Sequence, residues 1–406
     1  VDKNGVGTME ILNNKGKYDR IIDCLFIFLF FITPLSRAGI NIITPLLTIV
    51  WVAKKLKFRD CPDEKLKYPE LHRWVAILGV AVLLSFINAV NFAAALKNFA
   101  DEYILFALIF IISLDVIKNQ EQLKRLFGAA ISSSLIVAVW GLYERFGKGY
   151  ARINSTITGA NEAGTYFVSM ALLGLSFLLF SNKQKSSKFI ASSLFTLLNL
   201  SCVFYTGSRG AWLSLFAGFV VLLFLAIKNN KPVSFKKVIV VLVIIILTAT
   251  FVDLGWVVSR LDSITDLSDS SNRQRIMMAT TGLQMLKDHP LFGVGIGQFL
   301  HVYPDYKLET ANVYTHIHCF YLHLAVEIGL IGFLVFLILV FKVLKTGLQA
   351  FFQAEPEQWF YYGVIGALVG FGVHNLFEWS FLNLQVGAFT LILVAIWLNK
   401  TNIVEG

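Results

Sequence analysis

Apolar runs long enough to cross about 30 Å of hydrocarbon as helices recur from one end of this 406-residue chain to the other. Twelve are counted, over residues 20–36, 38–53, 71–90, 99–117, 123–146, 158–181, 189–206, 210–227, 238–256, 317–341, 359–379 and 381–398. The runs are continuous rather than alternating, and an isolated strand would leave its backbone unsatisfied in lipid, so they read as helices. The expected fold is an all-α integral membrane bundle of about 12 transmembrane helices. Composition agrees, with 56% hydrophobic and only 15% charged residues and a mean hydropathy of +0.67.

Charge orients the bundle. With twelve spans both termini share one face, and that face carries 24 of the 35 Lys and Arg. The stretch KKLKFRDCPDEKLKYPELHR alone supplies seven, which marks the face as cytoplasmic by the positive-inside rule. The net charge of +9 follows from this topology, and no basic stripe with interleaved aromatics points to nucleic acid. The chain is expected to divide into a polar tail at 1–19, helices at 20–256, an outer loop at 257–316, helices at 317–398 and a short tail at 399–406. The first span reads as a retained helix, since no small-residue cleavage site accompanies it. Four scattered cysteines predict no disulfide framework.

The segment TGSRGAW, at 206–212, places Arg209 between two apolar spans on the outer face. A charge in or near hydrocarbon is costly, so such an arginine suggests an anion to hold. The outer loop, about sixty residues long, is of a length that usually carries function. Within it Ile276, Ala279, Leu283 and Leu286 recur at helical spacing, which predicts a surface helix lying on the bundle by that face. Ser271 or Asn272 would cap it, leaving Arg273 and Arg275 near its start, where free amides also attract anions. LFGVGIGQF follows, with Gly293, Gly295 and Gly297 at alternate positions. It lacks the strand and helix of a dinucleotide fold and reads as tight turns or close backbone approach.

THIHCFYLH then brings His316, His318 and His323 to the start of the tenth span. A base near neutral pH is the functional reading, and helix-end anchoring is the structural one. Metal binding is not expected, because i, i+2 spacing does not put two imidazoles on one helical face.

In this order and spacing TGSRGAW, RIMMATTGLQMLKDHPLFGVGIGQF and HCFYLHLAVEIGLIGF resemble the O-antigen ligase and polymerase superfamily, over about residues 198–334. The resemblance implies a GT-C-like polytopic glycosyltransferase of the bacterial inner membrane. Its active site would face the periplasm, with a helical periplasmic loop, and it would serve lipopolysaccharide biosynthesis. It matches Arg209 and Arg275 to diphosphate-binding arginines, with Arg273 assisting, and His318 to the catalytic histidine. Cys319 and His323 depart from the family pattern, which leaves His316 open as the base. Asn161 in TGANEAG and His374 in GVHNLFEW are weaker family-like positions, and either could serve as a polar lock between helices.

The implied reaction is an inverting displacement without metal or other cofactor. A lipid A-core hydroxyl would attack the anomeric carbon of O-antigen carried on undecaprenyl diphosphate, with a histidine base and an arginine clamp. One long outer loop favours a ligase. A polymerase joining two carrier-linked glycans is the alternative, and a transporter is the reading from a different class, to which intramembrane Asp101, Glu102 and Asp115 would belong.

Overall fold

The computed structural model describes the chain except for residues 1–2, 62–63, 182–185, 229–234, 252–253, 264–265, 267–269, 308–314, 354–358 and 400–406. Among the described residues every regular element is helical. The first half holds α1 (Lys3–Ile32), α2 (Arg37–Lys57), α3 (Pro69–Leu84), α4 (Phe92–Asn98), α5 (Leu105–Val116), α6 (Gln120–Leu142), α7 (Ala160–Phe180) and α8 (Ser186–Tyr205). The second holds α9 (Arg209–Lys228), α10 (Phe235–Phe251), α11 (Leu254–Asp262), α12 (Ser270–Asp288), α13 (Phe299–Tyr306), α14 (Phe320–Gln353), α15 (Trp359–His374) and α16 (Leu384–Leu398).

Seven of the described helical stretches are long and apolar enough to cross a membrane: 37–57, 69–88, 120–147, 160–180, 186–205, 209–228 and 320–351. Three more, 239–248, 359–374 and 384–398, are apolar but shorter. The chain is therefore a polytopic membrane protein, and among the described residues seven of the twelve or so expected spans appear as helices of full spanning length. The run at 99–117 shows one physical reason. It is helical throughout, but a π turn at Phe99–Ile104 carries Asp101 and Glu102, and Asp115 sits near its end.

α7 is the axle of the bundle, buried along nearly its whole length and packed against α8, α9 and α15. Small residues let these helices meet closely, the usual source of attraction between helices in lipid. A side chain at Gly218 would stand 2.7 Å from the carbonyl of Gly366, so α9 and α15 touch backbone to backbone. That contact fixes the end of α9 from which Arg209 projects.

Several expectations change. α1 begins at Lys3, within the expected tail, and α11 runs through the expected start of the outer loop at 257. α12 starts at Ser270, so Ser271 and Asn272 lie inside its first turn rather than capping it. Its buried face is Met277, Met278, Thr281, Gly282 and Met285, while Ile276 and Leu283 are exposed. Flexible methionines fill the irregular gap against α14, which the aliphatic stripe in the sequence concealed. The eleventh apolar run stops being helical at His374, five residues before its expected end.

The largest departure is in α14, which is interrupted at Gly329 (φ 70°, ψ 176°). The GVGIG segment fills the break. Val294 N–H donates to Val326 O and Gly295 N–H to Glu327 O, both at 2.9 Å, while Leu330 N–H donates to Pro290 O at 2.8 Å. A break in an apolar helix is tolerated where neighbouring backbone satisfies the freed groups, as happens here. The same segment is tied to the α3–α4 connection by Asn88 Nδ2 donating to Gly293 O at 2.7 Å. Alternate glycines thus serve close backbone approach, with positive φ at Gly293, Gly295 and Gly297.

Candidate active site

Arg209 is the first residue of α9 because Ser208 caps the helix, its hydroxyl accepting from Ala211 N at 3.3 Å. Ser208 Oγ also lies 3.3 Å from His374 Nε2, and His374 Nδ1 is 2.7 Å from Thr165 Oγ1 and 3.1 Å from Ser380 Oγ. His374 is therefore a buried polar lock that steadies the helix start below Arg209. The Arg209 guanidinium donates to Ser263 O and Ser263 Oγ at 2.7 Å and to Asn272 Oδ1 at 2.8 Å. It thereby ties Ser263, at the end of α11, to Asn272 in the first turn of α12.

That placement gathers four arginines. Arg152, Arg209, Arg260 and Arg275 line one cavity of about 200 Å³ together with Asn161, Gly207, Ser208, Ser271 and His318. None of these lining residues is acidic. Arg260 donates to Gly207 O at 3.0 Å, and Arg152 donates to Thr206 O at 2.6 Å and to Asn161 Oδ1 at 2.7 Å. Burial and then the neighbouring Arg260 charge lower the Arg152 pKa, with Glu378 pulling the other way. An anion in the cavity would relieve that repulsion. A larger cavity of about 360 Å³ lies elsewhere, between α1, α2 and α6, but its charges pair with one another. Lys54 meets Asp19 at 2.9 Å and Arg125 meets Asp23 at 2.6 Å, so it offers no comparable excess of cations.

One carboxylate organises the other wall. Glu378, 1% exposed in the non-helical turn after α15, places Oε1 2.7 Å from His318 Nδ1 and 3.6 Å from His316 Nε2. Its Oε2 accepts from Asn161 Nδ2 and lies 3.8 Å from Arg275 Nη2. Burial opposes ionisation of Glu378, but the contacts with His316 and His318 outweigh it and hold the carboxyl well below the usual range. His316 is itself kept low by burial, against the pull of Glu378, and stacks on Trp379 at 3.9 Å between centroids. The Trp379 indole in turn donates to Glu162 Oε1 at 3.1 Å.

The ligand atoms of His316, His318 and Glu378 lie within 4.8 Å of one another, close enough in principle for a metal ion. A guanidinium already stands 3.8 Å from the same carboxylate, with three more around the cavity, and that field opposes a cation. The set is better suited to handling a proton.

Of the residues singled out in the sequence, Arg209, Arg275, His318 and Asn161 meet at this cavity, and His316 borders it through Glu378. Arg273 is exposed and absent from the lining. His323 is buried apart from it, 3.6 Å from Glu327 and edge-on to Phe299. Three further residues belong to the site. Arg152 comes from the short loop after α6, Arg260 from a helix that looked like the start of a loop, and Glu378 from four residues beyond His374. An acidic residue at the end of an apolar run was the signal for Glu378.

Residues 194–337 match the family described as O-antigen ligase, a stretch that contains Arg209, Arg260, Arg275 and His318 but not Arg152, Asn161 or Glu378. No curated protein sequence matches the chain. Over residues 194–337 the chain is therefore similar to the O-antigen ligase family, and that stretch sits within a polytopic helical fold.

Proposed function

We propose that this protein is an O-antigen ligase, a glycosyltransferase that moves a glycan from undecaprenyl diphosphate to a sugar hydroxyl of lipid A-core at the periplasmic face of the inner membrane. The observation that carries the reading is the convergence of four arginines on a cavity whose wall holds a carboxylate-bound histidine. Arginine binds phosphate oxygens in forked, charge-assisted pairs and stays protonated at any working pH, so Arg209 and Arg275, with Arg152 and Arg260, would hold the diphosphate.

With Glu378 ionised, the proton between it and His318 resides on Nδ1, and the neutral imidazole then carries its lone pair on Nε2. In the proposed step the acceptor oxygen attacks the anomeric carbon and gives its proton to His318 Nε2. The bond from that carbon to the diphosphate oxygen breaks with both electrons, and the arginines receive the released anion. Attack opposite the leaving group inverts the centre. Glu378 stabilises the imidazolium that results.

The test uses purified protein in detergent with undecaprenyl-diphosphate-linked O-antigen, with and without lipid A-core, and with EDTA throughout. A high-mass product on a gel that requires lipid A-core and tolerates chelator is the expected result. Loss of transfer in EDTA, restored by a divalent cation, would overturn the arginine-clamp mechanism. Longer carrier-linked glycan without lipid A-core would make the protein a polymerase instead. One observation favours that second reading: Arg152 brings a second outer loop into the cavity, whereas a single long outer loop is what favours a ligase.

Arg260→Ala provides an independent check on the clamp. Losing a charge-assisted bond of about 1.5–3 kcal/mol should lower kcat/KM for the donor by about 10- to 100-fold. An unchanged donor kcat/KM would remove Arg260 from the clamp.

A further inference from the structure

The membrane-crossing stretch 120–147 leaves Ile131, Leu135, Ile136 and Val139 exposed, which marks the side of α6 that faces acyl chains. Where this stripe ends the exposed side chains become aromatic: Trp140, Tyr143, Phe146 and Tyr150 leave from 44% to 68% of their surface uncovered. Trp and Tyr at the end of a span are the side chains that settle at headgroup level, apolar body toward the chains and polar edge toward water.

Lys148 lies on this aromatic floor, and Arg145 stands beside it over the buried ring of Tyr205. Lys148 Nζ is 5.2 Å from the Trp140 ring centre, 5.5 Å from Tyr143 and 5.6 Å from Tyr150. The Arg145 guanidinium is 5.3 Å above Tyr205 and donates to Tyr150 O at 3.1 Å. We propose that this collar is a binding site for the headgroup of an anionic phospholipid, with Lys148 and Arg145 meeting the phosphate and the rings resting on the glycerol and upper chain carbons. The charge is complementary, and the depth is set by the end of the span.

The site is continuous with the cavity through one short loop. Ile153 N–H donates to Tyr205 O at 3.1 Å, and Arg152, one residue before it, reaches Thr206 O and the cavity. A lipid held at Lys148 therefore steadies the loop that carries Arg152.

The experiment measures bound lipid and needs neither donor nor transfer, so its failure is separate from failure of the ligase reading. Purified protein is equilibrated with mixed micelles of phosphatidylglycerol or phosphatidylcholine, and retained lipid is counted by native mass spectrometry. On the scale for one basic residue at an anionic surface, Lys148→Gln should weaken phosphatidylglycerol retention about 5-fold and Lys148→Glu about 25-fold. Lys287→Glu, an exposed cation in the last turn of α12, should leave retention unchanged. Equal retention of the two lipids, undiminished retention in both Lys148 variants, or an equal loss in the Lys287 variant would each overturn the proposal. The Gln variant guards against a charge reversal that merely disturbs insertion.

Discussion

His318→Ala is expected to lower transfer turnover by about 10²- to 10⁴-fold while changing donor KM little, because a base acts on the proton in flight rather than on the bound diphosphate. Glu378→Gln should fall in the same range for a different reason. An amide can donate to Nδ1, which favours the tautomer whose Nε2 carries hydrogen and cannot accept one. Glu378→Asp, which keeps the charge at a longer reach, should recover part of the loss. If His318→Ala turns over normally and His316→Ala does not, the base is His316.

The depressed Glu378 carboxyl also predicts a pH signature in stability. A group held below its unfolded value of about 4.3 contributes fully above that value and loses its contribution only as pH falls through the lower folded value. The difference in unfolding temperature between wild type and Glu378→Gln should therefore be constant from about pH 5 upward and shrink only in stronger acid. A difference that already narrows between about pH 7 and 5 would mean that the carboxyl is not depressed.

Gly329→Ala is the second large effect, this time on folding. The backbone at φ 70° and ψ 176° lies in a region essentially reserved for glycine, with a penalty of about 1–3 kcal/mol for a side chain. A Cβ would also run into the carbonyl of Leu291, which is backbone and cannot rotate away. Together these should exceed about 3 kcal/mol and sharply reduce the yield of folded protein. Gly293→Ala should behave alike, since its Cβ would meet Glu327 O and Gly329 N at 2.5 Å. Gly128→Ala, within α6 with open space around it, is the control and should be neutral or stabilising by up to about 1 kcal/mol. Thermal unfolding in detergent, read by loss of monodisperse protein, separates the three.

The helical class and the polytopic character were legible because lipid allows continuous apolar runs few other structures. Arg209, Arg275 and His318 were legible as an ordered set of motifs. What stayed hidden depended on contacts between distant segments. Periodicity picked the aliphatic stripe of α12 over its buried methionines, and a long apolar run disguised the break at Gly329, whose only mark was a glycine amid leucines and isoleucines. Arg260 was hidden in a polar stretch that looked like loop. Glu378 lay four residues beyond the histidine that drew attention, and the pairing that gives it meaning spans sixty residues.

The cavity and the carboxylate behind its histidine come from three separated stretches of sequence: Arg152 and Asn161, the run from Gly207 to His318, and Glu378. The activity is consequently not portable as a cassette. A chimera that imports residues 194–337 from a relative would inherit most of the anion grip while leaving the partner of the histidine behind.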